Sequence, residues 1–153
     1  MGNRVFVYGT LRKGFPAHNI LMSKAKYMGE AKVNGELYHL PFGYPVMYES
    51  DQGQVFGEVY EVSDEILSQL KGYEGVDKLN PIYKMINGKT VLDGKTIECY
   101  IFVGTLGKKK IVQTIGTKVE GGDWIKFYKT HKNNFVLNFI KSAAAAILLT
   151  IWI

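Results

Sequence analysis

Apolar and polar positions along the chain fall into short runs broken by glycine, proline and asparagine, with strand-like alternation commoner than helical spacing. Val5-Phe6-Val7-Tyr8 is a continuous β-branched and aromatic run that suits a buried strand. Gly9 ends it, and Thr10-Leu11 lead into a basic loop closed by Gly14 and Pro16. Residues 18–27 alternate loosely and fit a short helix or an irregular connection. Residues 29–40 predict a strand pair that turns at Asn34-Gly35, the strongest two-residue hairpin signal. A turn-rich passage at Pro41, Gly43 and Pro45 follows, then a brief strand at Val46-Met47-Tyr48 and another turn at residues 50–53. Residues 54–62 alternate, with Val55, Gly57, Val59 and Glu61 on one face and Phe56, Glu58, Tyr60 and Val62 on the other. Gly57 in mid-strand predicts a bulge or a tight bend.

Helical spacing is clear in one place. Ser63 offers a capping side chain, Ile66, Leu67 and Leu70 share a face, and Gly72 is the expected stop. The helix would be about three turns at most, and it delivers the chain into Tyr73-Glu74-Gly75. Residues 81–86 and 90–92 read as a second hairpin around Asn87-Gly88, with a further turn at Asp93-Gly94. Residues 96–103, carrying Cys99, Tyr100 and Phe102, make an apolar strand. Residues 104–122 read as a Gly- and Lys-rich loop, and residues 125–128 as helical or irregular. Some six short strands with one or two short helices indicate an α+β chain built as a small, mostly antiparallel β-barrel.

At 153 residues the chain is one domain's worth. The net charge of +5 gathers at Lys108-Lys109-Lys110 and in the lysines between Lys118 and Lys132. No aromatic-interleaved stripe or nucleic-acid motif accompanies it, so a solvated basic face is expected and no nucleic-acid partner. The single cysteine, Cys99, rules out an intrachain disulfide, fits a reducing compartment, and reads as a structural thiol in an apolar strand. No signal peptide is expected. His18, His39 and His131 lack Cys or acidic company, so no metal site is expected. Phosphate-binding and dinucleotide-binding glycine motifs and the G-x-S-x-G elbow are also missing. Acid–base chemistry by a carboxylate remains.

Glu74 is the candidate. It follows the expected helix stop inside K-G-Y-E-G-V, with Leu70, Tyr73 and Val76 around it, and such neighbours would raise its pKa. A surface turn glutamate is the plainer reading of the same residues. At the first strand end, Gly9 lets backbone approach a ligand, with N–H groups available for a carboxylate or an oxyanion. An ordinary strand–turn junction is the plainer reading there.

In chain order, V-F-V-Y-G-T-L-R-K-G, G-E-L-Y-H-L with Y-P-V soon after, G-E-V-Y-E-V, L-K-G-Y-E-G-V, P-I-Y-K and G-G-D-W-I-K-F-Y resemble the gamma-glutamylcyclotransferase family. The resemblance is nearest to its short members of the gamma-glutamylamine cyclotransferase type and covers residues 3–130. It implies a small mixed β-barrel with a cavity at one end, lined by the Tyr-Gly-Thr-Leu loop, with the glutamate pointing in. It further implies cyclisation of a small-molecule γ-glutamyl amine or amide to 5-oxoproline with release of the amine. Glu74 would be the general acid/base, the N–H groups of Gly9, Thr10 and Leu11 would hold the carboxylate or oxyanion, and Tyr8, Tyr83 and Tyr128 would line the pocket. No metal or cofactor is implied, and a cytoplasmic location is expected. Lys71 stands where the family usually has Asp, and the family ends near Tyr128. A non-catalytic binding barrel and a glutathione-degrading role are the alternatives.

The resemblance divides the chain into a barrel domain, residues 1–130, and an apolar tail, residues 131–153. Ala and Leu in the tail favour helix. The uninterrupted apolar stretch from Ala143 is too short for a span of roughly 30 Å, and extending it back to Phe135 includes Lys141 and Asn138. Packing on the barrel or self-association is favoured over a membrane anchor.

Overall fold

A computed structural model describes residues 2–131, so the expected C-terminal tail lies outside the described residues, His131 apart. The chain runs β1 (Asn3–Val7), α1 (Pro16–Leu21), β2 (Lys26–His39), β3 (Pro45–Val62), α2 (Asp64–Glu74), β4 (Tyr83–Leu92), β5 (Lys95–Gly104), α3 (Leu106–Ile115), β6 (Thr117–Lys118) and α4 (Trp124–His131). The strands form one sheet in the order β4-β5-β1-β3-β2-β6. Only β1 with β5 is parallel; the other pairs are antiparallel. This is the expected α+β class with a mixed, mostly antiparallel sheet, but with four helices among the described residues instead of one or two. The sheet curls until β4 reaches β2, where Thr90 Oγ1 donates to Lys32 O and Leu92 packs against Gly29. No ladder joins those two strands, so the barrel is not closed.

The central strand β1 is buried on both faces, as its run of β-branched and aromatic residues requires. Val5 and Val7 point into a cluster with Leu40, Val46, Leu70 and Phe102. Phe6 points into a second cluster with Val55, Val59, Ile101 and Trp124. The pocket described below opens where β1 runs out.

Several expected turns are not turns. Asn34-Gly35 lies within β2, where the pairing steps from Asn34↔Gln54 to Gly35↔Glu49. Residues 50–53 are therefore an outward excursion of β3 and not a reversal. The chain reverses instead at residues 40–44, closed by Leu40 N–H to Tyr44 O at 2.9 Å. Long-range pairing over a fourteen-residue strand outweighs the local turn preference. Asn87-Gly88 likewise sits inside β4, where a Cβ on Gly88 would meet Ile101 Cδ1 at 2.6 Å. The turn between β4 and β5 is Asp93-Gly94, with φ of 51° and 76°, the two left-handed residues of a tight hairpin.

Two helix readings also change. The segment read as a lysine-rich loop contains α3, whose inner face is Lys108, Ile111, Val112 and Ile115. That spacing is helical, but a buried lysine interrupts its apolar pattern. In α2, Gly72 does not stop the helix; Gly75 does, with φ of 71°.

Gly57 forms no bulge, because it pairs in register with Ala31. A Cβ there would collide with Val7 O and with the Phe6 ring. Gly57→Ala should therefore cost at least about 2 kcal/mol of stability, since a backbone carbonyl of the central strand cannot yield as a side chain would. Urea unfolding measures it.

Candidate active site

Glu74 is placed by the way α2 starts and stops. Ser63 Oγ accepts the Ile66 N–H at 3.2 Å, and the fully buried Leu70 holds the inner face to the core. Continuing the helix through Gly72 and Tyr73 sets Glu74 four residues beyond Leu70, on the same face. Gly75 then turns left-handed and returns its N–H to Lys71 O at 3.0 Å and Gly72 O at 3.2 Å.

A cavity of about 300 Å³ lies between Glu74, the loop after β1, Pro45, Ile82, Tyr83 and Phe102. The Glu74 carboxyl has no hydrogen bond or ion pair among the described residues. Glu74 keeps some exposure through the cavity mouth, yet the protein around its carboxyl pushes the pKa from 4.5 up to about 8. Burial is the cause, and the partial negative charge at the end of α2 acts in the same direction.

The loop facing it begins with Gly9, where a Cβ would sit 2.7 Å from the Pro45 ring. The glycine is therefore required by close packing of Pro45, a reason distinct from ligand approach. Arg12 N–H closes the turn on Gly9 O at 3.0 Å. The N–H groups of Gly9, Thr10 and Leu11 donate to no other described residue. Thr10 Oγ1 lies 2.9 Å from Tyr73 Oη, joining the loop to α2.

Tyr8 and Tyr83 both line the cavity, but their hydroxyls are committed elsewhere. Tyr8 donates to Phe102 O at 2.6 Å and accepts the Met47 N–H at 3.2 Å. Tyr83 donates to Pro45 O at 2.6 Å. Burial first, and Glu74 second, raise both phenol pKa values, which keeps them neutral. Their rings form the walls while their hydroxyls pin the start of β3. Tyr128 is not at the cavity. It sits on α4, with ring centroids 5.7 Å from Phe15 and 5.0 Å from Trp124, in the second core cluster. An aromatic stripe on a helix packing the core explains it.

The anchor of the loop was missed in the sequence. Buried Arg12 pairs with Glu58 Oε2 at 2.9 Å and with Asp123 Oδ1 at 3.0 Å. Glu58 also accepts the Tyr60 hydroxyl at 2.7 Å and the Lys13 N–H at 3.1 Å. The available signal was a carboxylate on the face shared with Phe56, Tyr60 and Val62, which cannot stay buried without partners. Cys99 is buried with its thiol pKa raised to about 11, as a structural thiol requires. His39 accepts the Trp124 indole N–H at 2.9 Å, and burial lowers its pKa to about 4. Among the described residues, no group of three His, Cys, Asp or Glu could hold a metal ion. None of the described helices is long and apolar enough to cross a membrane.

A family model described as gamma-glutamyl cyclotransferase, AIG2-like, matches residues 5–126. The chain belongs to this family. A candidate gamma-glutamylcyclotransferase of Drosophila melanogaster, CG2811, is 34% identical over 117 residues, covering 67% of this chain and 70% of the fly protein. A second, MJ1514 of Methanocaldococcus jannaschii, is 30% identical over 122 residues, covering 78% of this chain and 93% of its own. The crystal structure of YkqA from Bacillus subtilis shares the fold, with a TM-score of 0.66 at 24% identity. It covers 88% of this chain, which spans 44% of the YkqA chain. Every cavity residue lies within the segment that the family model matches, and Tyr128 lies beyond it.

A neutral carboxylic acid held in this way ties stability to pH. The unfolded chain releases the Glu74 proton near 4.5, the folded protein only near 8. The proton's contribution is complete below about pH 4.5 and is lost as pH rises through about 8. The unfolding free energy of the native chain relative to Glu74→Gln should fall by about 1.4 kcal/mol per pH unit across that window. Paired urea titrations at several pH values test it.

Proposed function

We propose that this chain cyclises a γ-glutamyl amine or amide to 5-oxoproline and releases the free amine, with Glu74 as general acid/base. The observation that carries this reading is the pairing of a buried, raised-pKa carboxyl with three uncommitted backbone N–H groups around one cavity. Membership of the gamma-glutamyl cyclotransferase family supports the reaction class.

In the reaction the α-amine of the γ-glutamyl head attacks its own γ-carbonyl carbon. A C–N bond forms to close the five-membered ring, and the original amide C–N bond breaks. Before attack, the Glu74 carboxylate takes one proton from the α-ammonium and then returns it to the departing nitrogen. The surplus proton left on the ring nitrogen after attack passes to the regenerated carboxylate and on to the released amine, which leaves as an ammonium. A Glu74 pKa near 8 brings its carboxylate nearer in basicity to the substrate's α-amine than an ordinary glutamate would be, which eases proton transfer between the two. The N–H groups of Gly9, Thr10 and Leu11 would stabilise the negative oxygen of the tetrahedral intermediate or hold the head carboxylate. Because the nucleophile belongs to the substrate, the pocket need only fold the head into the ring-closing geometry. The rigid walls formed by Tyr8, Pro45 and Tyr83 suit that task.

Glu74→Gln should lower 5-oxoproline release by a factor on the order of 10²–10⁴ while the fold persists. Thr10→Ala, which leaves the backbone donors in place, should cost less than about tenfold, because an exposed hydroxyl hydrogen bond contributes about 1 kcal/mol. Assay of 5-oxoproline from γ-glutamyl amines and dipeptides measures both. Undiminished turnover in a folded Glu74→Gln protein contradicts the assignment and favours a non-catalytic binding barrel.

A further inference from the structure

The cavity has a charged rim that the ring-closing chemistry does not use. Of the residues lining it, Glu74 and Lys78 are the two that carry ionisable acid or ammonium groups. They differ in depth: Glu74 is partly buried, whereas Lys78 and the neighbouring Tyr73 are exposed, which marks floor and mouth.

Lys78 is held where it is. Its N–H returns to Gly75 O at 3.1 Å, so residues 75–78 form a tight turn directly after Glu74. Its aliphatic stem lies over the Gly75 backbone, with Cδ and Cε 3.0 and 3.2 Å from where a Cβ would stand. A glycine at 75 is thus needed for the left-handed turn and also for the path of this side chain. The Lys78 ammonium makes no ion pair among the described residues. A cation at the mouth of the cavity thus has no ion-pair partner among the described residues.

The substrate supplies one only in part. A γ-glutamyl head brings an ammonium and a carboxylate, which cancel, and its reacting atoms must lie beside Glu74 at the floor. The group on the far side of the scissile amide must then extend toward the mouth.

We propose that Lys78 is a specificity-determining residue that binds a carboxylate on the leaving amine, so that γ-glutamyl amino acids or peptides are preferred over γ-glutamyl alkylamines. This rests on the cyclotransferase reading above. The ammonium donates to the leaving group's carboxylate at the rim and takes no part in bond making. A cationic leaving group, such as a polyamine, meets like charge and is disfavoured. Because the rim is exposed, the preference weakens as salt is added.

The test uses two substrates that differ in this charge alone, γ-glutamylalanine and γ-glutamylalaninamide, with kcat/KM for 5-oxoproline release measured at low and high salt. The native chain should prefer the carboxylate by about five- to tenfold, as one charge-assisted hydrogen bond at a partly solvated site allows. Lys78→Met should bring the ratio to about one, and Lys78→Glu should invert it. A lysine that merely complements the end of α2 would alter stability and leave the ratio unchanged in all three proteins; that result overturns the proposal. A native ratio near one overturns it as well while leaving the cyclotransferase reading intact. Absence of 5-oxoproline from both substrates and from a γ-glutamyl alkylamine overturns both.

Discussion

The arrangement depends on one costly feature, a carboxyl buried with no partner among the described residues at the end of α2. Removing a carboxylate from water with no compensating bond is unfavourable, and the group responds by keeping its proton. Glu74 is placed by its neighbours on the helix. Leu70 fixes the face one turn earlier, and the left-handed Gly75 ends the helix directly after Glu74. The core thus supplies the free energy that holds an unfavourable group where a proton can be exchanged.

The opposite wall is built by the reverse strategy, in which buried polar groups are paired. Arg12 with Glu58 and Asp123, and Tyr60 with Glu58, tie the loop after β1 to β3 and to the start of α4. The hydroxyls of Tyr8 and Tyr83 pin the start of β3 from the other side. With those groups satisfied, the three backbone N–H groups of residues 9–11 stand across the cavity from the acid with no partner among the described residues. A rigid donor set facing a mobile proton is the preorganised pairing that acyl transfer uses.

Features that depend on nearest neighbours in sequence were legible. Val5-Phe6-Val7 read as a doubly buried strand, and residues 63–70 read as a capped amphipathic helix; both stand in the structure. Glu74 was legible as a candidate through its apolar company. What failed depends on partners far along the chain. Asn34-Gly35 and Asn87-Gly88 would turn in isolation, but each is held straight by a long strand beside it. Glu58 meets Arg12 across forty-six positions, so no local pattern announces the pair. Tyr128 carried the right chemistry in the right order, and α4 turns it into the Phe15–Trp124 cluster. Lys108 hid α3 because a charged residue occupies a buried position on its inner face.

Glu74 is held as a neutral acid whose proton is exchangeable near neutral pH. Its most direct measurement is a titration of the Glu74 carboxyl in the folded chain by ¹³C NMR, with glutamate labelled at the carboxyl and Glu74→Gln used to assign the resonance. The structure predicts a single transition near pH 8. A carboxyl that titrates near 4.5, the value of an ordinary solvated glutamate, would contradict the account.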